Sequence, residues 1–191
     1  MRLFVAVEVE DAARHVAVEI ARELRSTIGP TLEARWVPPE NMHLTVRFIG
    51  NVDDGRAPAL IDALTPPLDI PTFEIALGGC GVFPPTGAPR ALWIGLAQGL
   101  PGLVSMHEAF NRRLVPFGFE PETRPFSAHL TLARFKDAPS GAGRAVREAL
   151  RRVTTRTAGS HVTRATIFRS HLSPNGPRYE PVAFAELVAA S

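Results

Sequence analysis

The sequence predicts an α+β fold built as a duplicated, two-lobed unit, with two mainly antiparallel sheets lining a central cleft and helices outside. Three observations predict it. The order strand, helix, strand, helix, strand occurs twice; each copy carries one tetrapeptide of the form His-x-Thr-x; and a proline- and glycine-rich stretch, FPPTGAP at 83–89, lies between the copies. A chain of 191 residues suits one domain with a substantial core. We therefore expect a single domain over 1–191, with pseudo-repeats at about 1–82 and 90–188.

Each element has a local cause. RLFVAVEV at 2–9 is a run of β-formers, and Asp11 offers an N-cap for an amphipathic helix reaching about Ile28. The segment Trp36-Val37-Pro38-Pro39-Glu40-Asn41 is a stiff approach to a strand over 42–49, which Gly50-Asn51 ends. A short helix near 55–65 and a strand near 71–78 complete the first copy. In the second, RALWIGL at 90–96 is a strand, 101–115 a helix and AHLTLARF at 128–135 a strand. A basic helix near 143–153, a strand near 161–171, a turn at 173–177 and a last strand near 179–188 follow.

The chemistry concentrates in His43-Leu44-Thr45-Val46 and His129-Leu130-Thr131-Leu132. Side chains alternate along a strand, so each His shares a face with its Thr while the apolar pair points into the core. Two imidazoles facing one cleft can serve as general acid and general base near neutral pH, and two hydroxyls can donate to phosphate oxygens. Phosphodiester cleavage needs both proton transfers. The same alternation puts Arg47, a candidate phosphate contact, on the His43 face and Phe48 on the core face, and it puts Arg134 on the core face unless a bulge intervenes. Phe126 is a candidate to stack a base; Tyr179 and Trp93 read as structural.

These motifs, with the opening RLFVAVEV, the contexts WVPPENMHLTVRFIG and PFSAHLTLAR, the central ALWIGL and the late FRSHLSPNGPRYEPV, resemble the two-histidine phosphoesterases. Within them the chain is similar to the RNA 2',3'-cyclic phosphodiesterases, also called 2'-5' RNA ligases. The resemblance implies a bilobal fold and metal-free hydrolysis of RNA 2',3'-cyclic phosphate ends to 2'-phosphomonoesters. It implies His43 as proton donor, His129 as the base that activates water, Thr45 and Thr131 as phosphate contacts, and Arg134 as a further one.

Composition bounds the alternatives. Residues 1–100 carry 8 basic and 12 acidic groups, and residues 101–191 carry 13 and 7, so the halves are −4 and +6. Twenty of the 21 basic residues are arginines, which suit bidentate contact with phosphate. No phosphate-binding loop of the form G-x-x-x-x-G-K-[ST] is present, and the one lysine is Lys136, followed by Asp137. Any ligation must then be an ATP-independent reversal of cyclic-phosphate opening. His15, His107, His161 and His171 lack metal-ligand spacing, so neither metal nor cofactor is expected, and Cys80, the sole cysteine, reads as a small residue beside glycines. The helix with Arg144, Arg147, Arg151 and Arg152 reads as a solvated face. We expect a cytoplasmic monomer without membrane attachment, acting on RNA ends or nucleotide cyclic phosphates. Two rival readings are a phosphodiesterase for small cyclic nucleotides or 2'-5' diesters, and a nucleotide- or RNA-binding module without turnover.

Overall fold

The structure is a computed structural model that describes residues 1–29, 32–136, 138–139, 141–154, 156–174 and 176–189; Asp137 and the Asn175 of the expected 173–177 turn lie outside the described residues. The elements run β1 (Arg2–Glu8), α1 (Asp11–Ile28), β2 (Ala34–Trp36), β3 (His43–Asn51), α2 (Ala57–Leu64), β4 (Leu68–Pro71) and β5 (Phe73–Phe83). There follow β6 (Ala91–Gln98), α3 (Leu100–Leu114), β7 (Leu130–Phe135), α4 (Ala142–Arg152), β8 (Ala158–Val162), β9 (Arg164–His171) and β10 (Arg178–Val188), with 3-10 turns at Pro39–Asn41 and Val115–Phe117.

All strands join one hydrogen-bonded sheet in the order β4-β10-β9-β1-β3-β7-β6-β5-β8, with β2 also on β7. Every pairing is antiparallel except β4 with β10. The two sheets expected from sequence are these halves, β4-β10-β9-β1-β3 and β2-β7-β6-β5-β8, and they meet at one register pair, Leu44 with Leu130. Both motifs therefore stand at the seam.

The halves in space are not the repeats in sequence. Helix α1 packs on β7, β8 and α4 of the second half, and α3 packs on β3, β4 and α2 of the first. Helix α1 buries Ala13, Ala17, Ile20, Ala21, Leu24 and Ile28 along one stripe and ends at Gly29, whose positive φ lets its N–H reach the Arg25 carbonyl at 3.1 Å. Asp11 is its first helical residue rather than the cap, because Glu10 occupies the cap position and Asp11 turns to Arg14. Glu23 of α1 accepts from the Thr154 backbone N–H at 2.9 Å and pairs with Arg156 at 2.8 Å, and these bonds hold its carboxyl below the usual range. From α3, Arg113 donates to the carbonyls of Leu64, Pro66 and Pro67, past the end of α2. Neither half can close without the other repeat's helix.

The same exchange explains two differences from the sequence reading. The strand expected near 71–78 is two strands, because β4 pairs with β10 in one half and β5 with β6 and β8 in the other. The strand expected near 161–171 is likewise β8 on β5 and then β9 on β1, the chain crossing between halves at Thr163. Strand β2 escapes a pattern argument because its three residues are too few to alternate.

Candidate active site

Strand β3 does not alternate regularly. Its register with β1 pairs Glu8 with His43, Val7 with Leu44, Ala6 with Thr45, Val5 with Arg47 and Phe4 with Phe48, skipping Val46. Val46 is thus a bulge, and past it every side chain changes face. Arg47 turns into the protein and Phe48 turns out to 44% exposure, which corrects the parity expectation for both. Strand β7 carries the matching bulge at Leu132: Thr131 pairs with Trp93 and Ala133 with Leu92, so Arg134 returns to the Thr131 face beside Ala91. The bulge that Arg134 needed is present.

Each bulge leaves a carbonyl without a ladder partner, and each finds one. The Val46 carbonyl accepts from Nδ1–H of buried His107 on α3 at 2.7 Å, and the Leu132 carbonyl accepts from the Val37 N–H at 2.8 Å. Asn111 donates to His107 Nε2 at 3.0 Å and Phe126 stacks on the same ring at 4.6 Å between centroids. His107 is therefore a bracket for the bulge, a role that its position on a predicted helix did not disclose.

The two motif histidines are tethered alike. His43 Nδ1 lies 2.8 Å from the Asn41 carbonyl and His129 Nδ1 lies 2.7 Å from the Ser127 carbonyl, in each case two residues upstream. A carbonyl only accepts, so Nδ1 carries the hydrogen in both rings and the neutral form has its lone pair on Nε2. Asn41 is itself anchored, donating from Nδ2 to the Pro177 carbonyl at 2.9 Å. Aromatic walls surround both rings: Phe4, Tyr179 and Phe168 stand 5.0, 5.2 and 6.2 Å from His43, and Phe83 and Trp93 stand 5.1 and 6.3 Å from His129.

This enclosure sets the electrostatics. Burial, then the Arg134 charge and the His129 ring, push His43 down to about 4 against the opposing effects of the Asn41 carbonyl and Glu8. Burial and Arg134 also lower His129, again against a carbonyl. Arg134 acts on both imidazoles and, with Arg2, holds down the Tyr179 hydroxyl that burial raises. It is the cation common to the site.

The cleft has two adjoining compartments that share Thr45 and Phe48. One, about 350 Å³, is bordered by His43, Thr131, Arg134, Phe4 and Tyr179. The other, about 700 Å³, is bordered by His129, Arg47, Phe83, Phe126 and the segment 120–127. Here Arg47, 6% exposed, pairs with Glu122 at 2.7 Å and donates to the Glu120 carbonyl at 2.7 Å. The seven expected site residues thus divide: His43, Thr45, Thr131, Arg134 and His129 gather at the seam, while Arg47 and Phe126 belong to the wall of the larger compartment. Sequence reasoning missed Arg2, Phe4 and Tyr179 as cleft residues. The alternation of Arg2, Phe4, Ala6 and Glu8 against Leu3, Val5 and Val7 was the available signal for the first two, since cross-strand pairing puts them on the His43 face. Among the described residues no group of three or more His, Cys, Asp or Glu stands together, and no helix is long and apolar enough to cross a membrane.

Comparison with known proteins adds an independent line. The family model described as LigT-like phosphoesterase matches twice in succession, over 7–93 and 94–179. An RNA 2',3'-cyclic phosphodiesterase of Archaeoglobus fulgidus is 32% identical over 187 residues, covering 97% of this chain and 100% of the relative. A crystal structure from Thermus thermophilus superposes with a TM-score of 0.78 at 28% identity over 100% of both chains. Escherichia coli LigT, solved with 3'-AMP, gives 0.69 at 26% identity over 97% of each.

Proposed function

The chain belongs to the LigT-like phosphoesterase family, and on that premise we propose that it hydrolyses RNA 2',3'-cyclic phosphate ends to 2'-phosphomonoesters through paired acid–base catalysis by His43 and His129. The observation that carries the reading is the matched tethering of two imidazoles at the seam, each with Nδ1–H on a carbonyl and Nε2 left for proton transfer. Phosphate binding alone needs no such pair, which speaks against a module without turnover.

In this reading His129 Nε2 takes a proton from water as the oxygen attacks phosphorus. The bond from phosphorus to O3' breaks and His43 Nε2–H protonates the departing O3'. Thr45 and Thr131 donate to the non-bridging oxygens, and Arg134 neutralises the charge that grows on them. Burial and Arg134 bias both rings toward the neutral form. That suits the base at once; the acid acquires its proton when the anionic phosphate arrives, because a nearby negative charge favours the imidazolium. All of these groups come from one chain, so a monomer suffices.

The compartment of about 700 Å³ beside His129 is far larger than an attacking water requires. It favours a second use of the same chemistry, in which a nucleoside 5'-hydroxyl replaces water and opens the cyclic phosphate with departure of O3': ligation to a 2'-5' diester without ATP and, in reverse, cleavage of such diesters. The test is incubation with a short RNA ending in 2',3'-cyclic phosphate, in EDTA, with identification of the product. A 2'-phosphate end is expected; binding without turnover refutes the proposal, and a requirement for an added divalent ion replaces the mechanism with a metal site.

A further inference from the structure

The two compartments of the cleft differ in charge. The one beside His129 is bordered by Arg47 and Arg124 but also by Glu120 and Glu122, whereas the one beside His43 is bordered by Arg2 and Arg134 and by no carboxylate. Arg134 has its part in the mechanism above; Arg2 has none. Among the described residues the half-buried Arg2 guanidinium pairs with no carboxylate and donates no hydrogen bond, and it stands 4.8 Å over the centre of the Phe48 ring. That ring is at hand because the Val46 bulge turns Phe48 outward, where β1 sets Phe4 opposite it and Arg2 one alternation farther along. A cation over an aromatic face is held in position without being neutralised. Both arginines also act on the Tyr179 hydroxyl, so they stand about the same wall of the compartment.

We propose that Arg2 is a specificity-determining residue: seated on Phe48, it binds a second phosphate of the substrate, the one on the 5'-oxygen of the nucleoside that bears the cyclic phosphate. The inference rests on the acid–base reading above and narrows its substrate class. In that reading His43 protonates O3', and O3' stays on the ribose when its bond to phosphorus breaks. The terminal nucleoside therefore occupies the His43 side of the cleft and the attacking oxygen the His129 side. Arg134 meets the reacting phosphate between the motifs, which leaves one uncompensated cation in the nucleoside's own compartment. A nucleoside 2',3'-cyclic monophosphate has no further anion to offer it. An RNA end has one, because its last internucleotide phosphate is joined to the 5'-oxygen of that nucleoside, and a guanidinium matches phosphate with paired donors.

The test compares adenosine 2',3'-cyclic phosphate, the same nucleotide carrying a 5'-phosphate, and the dinucleotide adenylyl-adenosine ending in 2',3'-cyclic phosphate. In the parent, kcat/KM should rise about tenfold from the first substrate to each of the other two, mainly through KM, as a hydrogen bond to a charged group made equally in ground and transition states would give. Arg2→Gln should remove that gain while changing the first substrate less than about twofold, and Arg2→Lys, with the charge but not the fork, should keep part of it. On the dinucleotide, Arg2→Gln should also flatten the log–log salt dependence of kcat/KM by about 0.7, the share of one single-strand phosphate contact. The ratio between substrates is read within each variant, so partial unfolding does not mimic the result. No preference in the parent, or a preference that Arg2→Gln leaves intact, overturns the assignment of Arg2 while the acid–base reading stands. A gain for the dinucleotide alone means that the second nucleoside is recognised and not the phosphate, which overturns it as well. If the parent hydrolyses none of the three, the acid–base reading fails and Arg2 falls with it.

Discussion

Arg134 and Arg47 make opposite predictions although both follow a motif by the same chain logic. Arg134 is exposed at the seam and lowers both imidazoles; Arg47 is buried and held by Glu122 and the Glu120 carbonyl. If Arg134 contacts the phosphate, Arg134→Gln forfeits a hydrogen bond to a charged group, worth ~1.5–3 kcal/mol, or roughly 10- to 150-fold in kcat/KM. Its stability should stay within about 0.5 kcal/mol of the parent, because no packing is lost at an exposed position. The substitution also removes a positive charge from beside the rings, so both histidines should titrate at higher pH than in the parent. Arg47→Gln reverses the pattern. It removes the buried guanidinium that holds Glu122 and the Glu120 carbonyl, at ~1–3 kcal/mol of stability, and a chain of this size should melt ~2–4 °C lower per kcal/mol. Steady-state kinetics on RNA 2',3'-cyclic phosphate, thermal unfolding and NMR titration of the imidazoles read all three quantities. A loss of kcat/KM in Arg47→Gln with none in Arg134→Gln, and unmoved imidazoles in the latter, would refute the bulge argument.

Other outcomes follow from the same geometry. Thr45→Val and Thr131→Val should each lower kcat/KM by ~1.5–3 kcal/mol in transition-state stabilisation with the melting temperature little changed, and parent-like kinetics in both would make the hydroxyls structural. His107→Leu orphans the Val46 carbonyl, so chemical denaturation should show ~1–3 kcal/mol of lost stability. The depressed His43 makes stability pH-dependent. Its folded value of about 4 lies below the ordinary 6.5, so its contribution is complete above pH 6.5 and disappears as pH falls toward 4. The amount is at most ~3 kcal/mol, and His43→Gln should lose correspondingly less stability between pH 7 and 4 than the parent does.

Much of this was legible in the chain. Periodicity located the helices over 11–28 and 101–115 within a residue of α1 and α3, and the alternation His43-Thr45 and His129-Thr131 set the right groups on one face. Alternation failed one residue past each threonine, because a bulge is a property of two strands: Val46 and Leu132 are extra residues only relative to β1 and β6. Nothing in the local sequence HLTVRF states that register. The aromatic wall was hidden for a similar reason. Phe168 and Tyr179 reach His43 only because β9 and β10, from the far end of the chain, pair beside β1. The exchange of α1 and α3 between halves was also out of reach, since an amphipathic stripe records that a helix is covered and not which sheet covers it.

A duplicated scaffold poses a problem for the proposed acid–base chemistry, because the motifs supply two like histidines where that reaction requires one charged and one neutral. The registers show where the two halves depart from each other. Histidine, threonine, the tethering carbonyl and the bulge recur in both motifs. At the position two beyond the bulge the first half has Phe48 and the second Arg134; opposite the threonine stand Ala6 and Trp93; opposite or beside the histidine, Glu8 and Gly95. The recurring groups are those that both proposed proton transfers need, and the differing ones alter charge and enclosure. One consequence concerns Arg134 itself. A cation that depresses both imidazoles does little to distinguish them, so in the proposed mechanism its part is toward the phosphate. The substrate's own negative charge has the same limitation if it sits between the two. In the proposed mechanism the division of labour must then come from features outside the shared set, and the unlike enclosures are of that kind: Phe4, Phe168 and Tyr179 stand around His43, and Phe83 and Trp93 around His129.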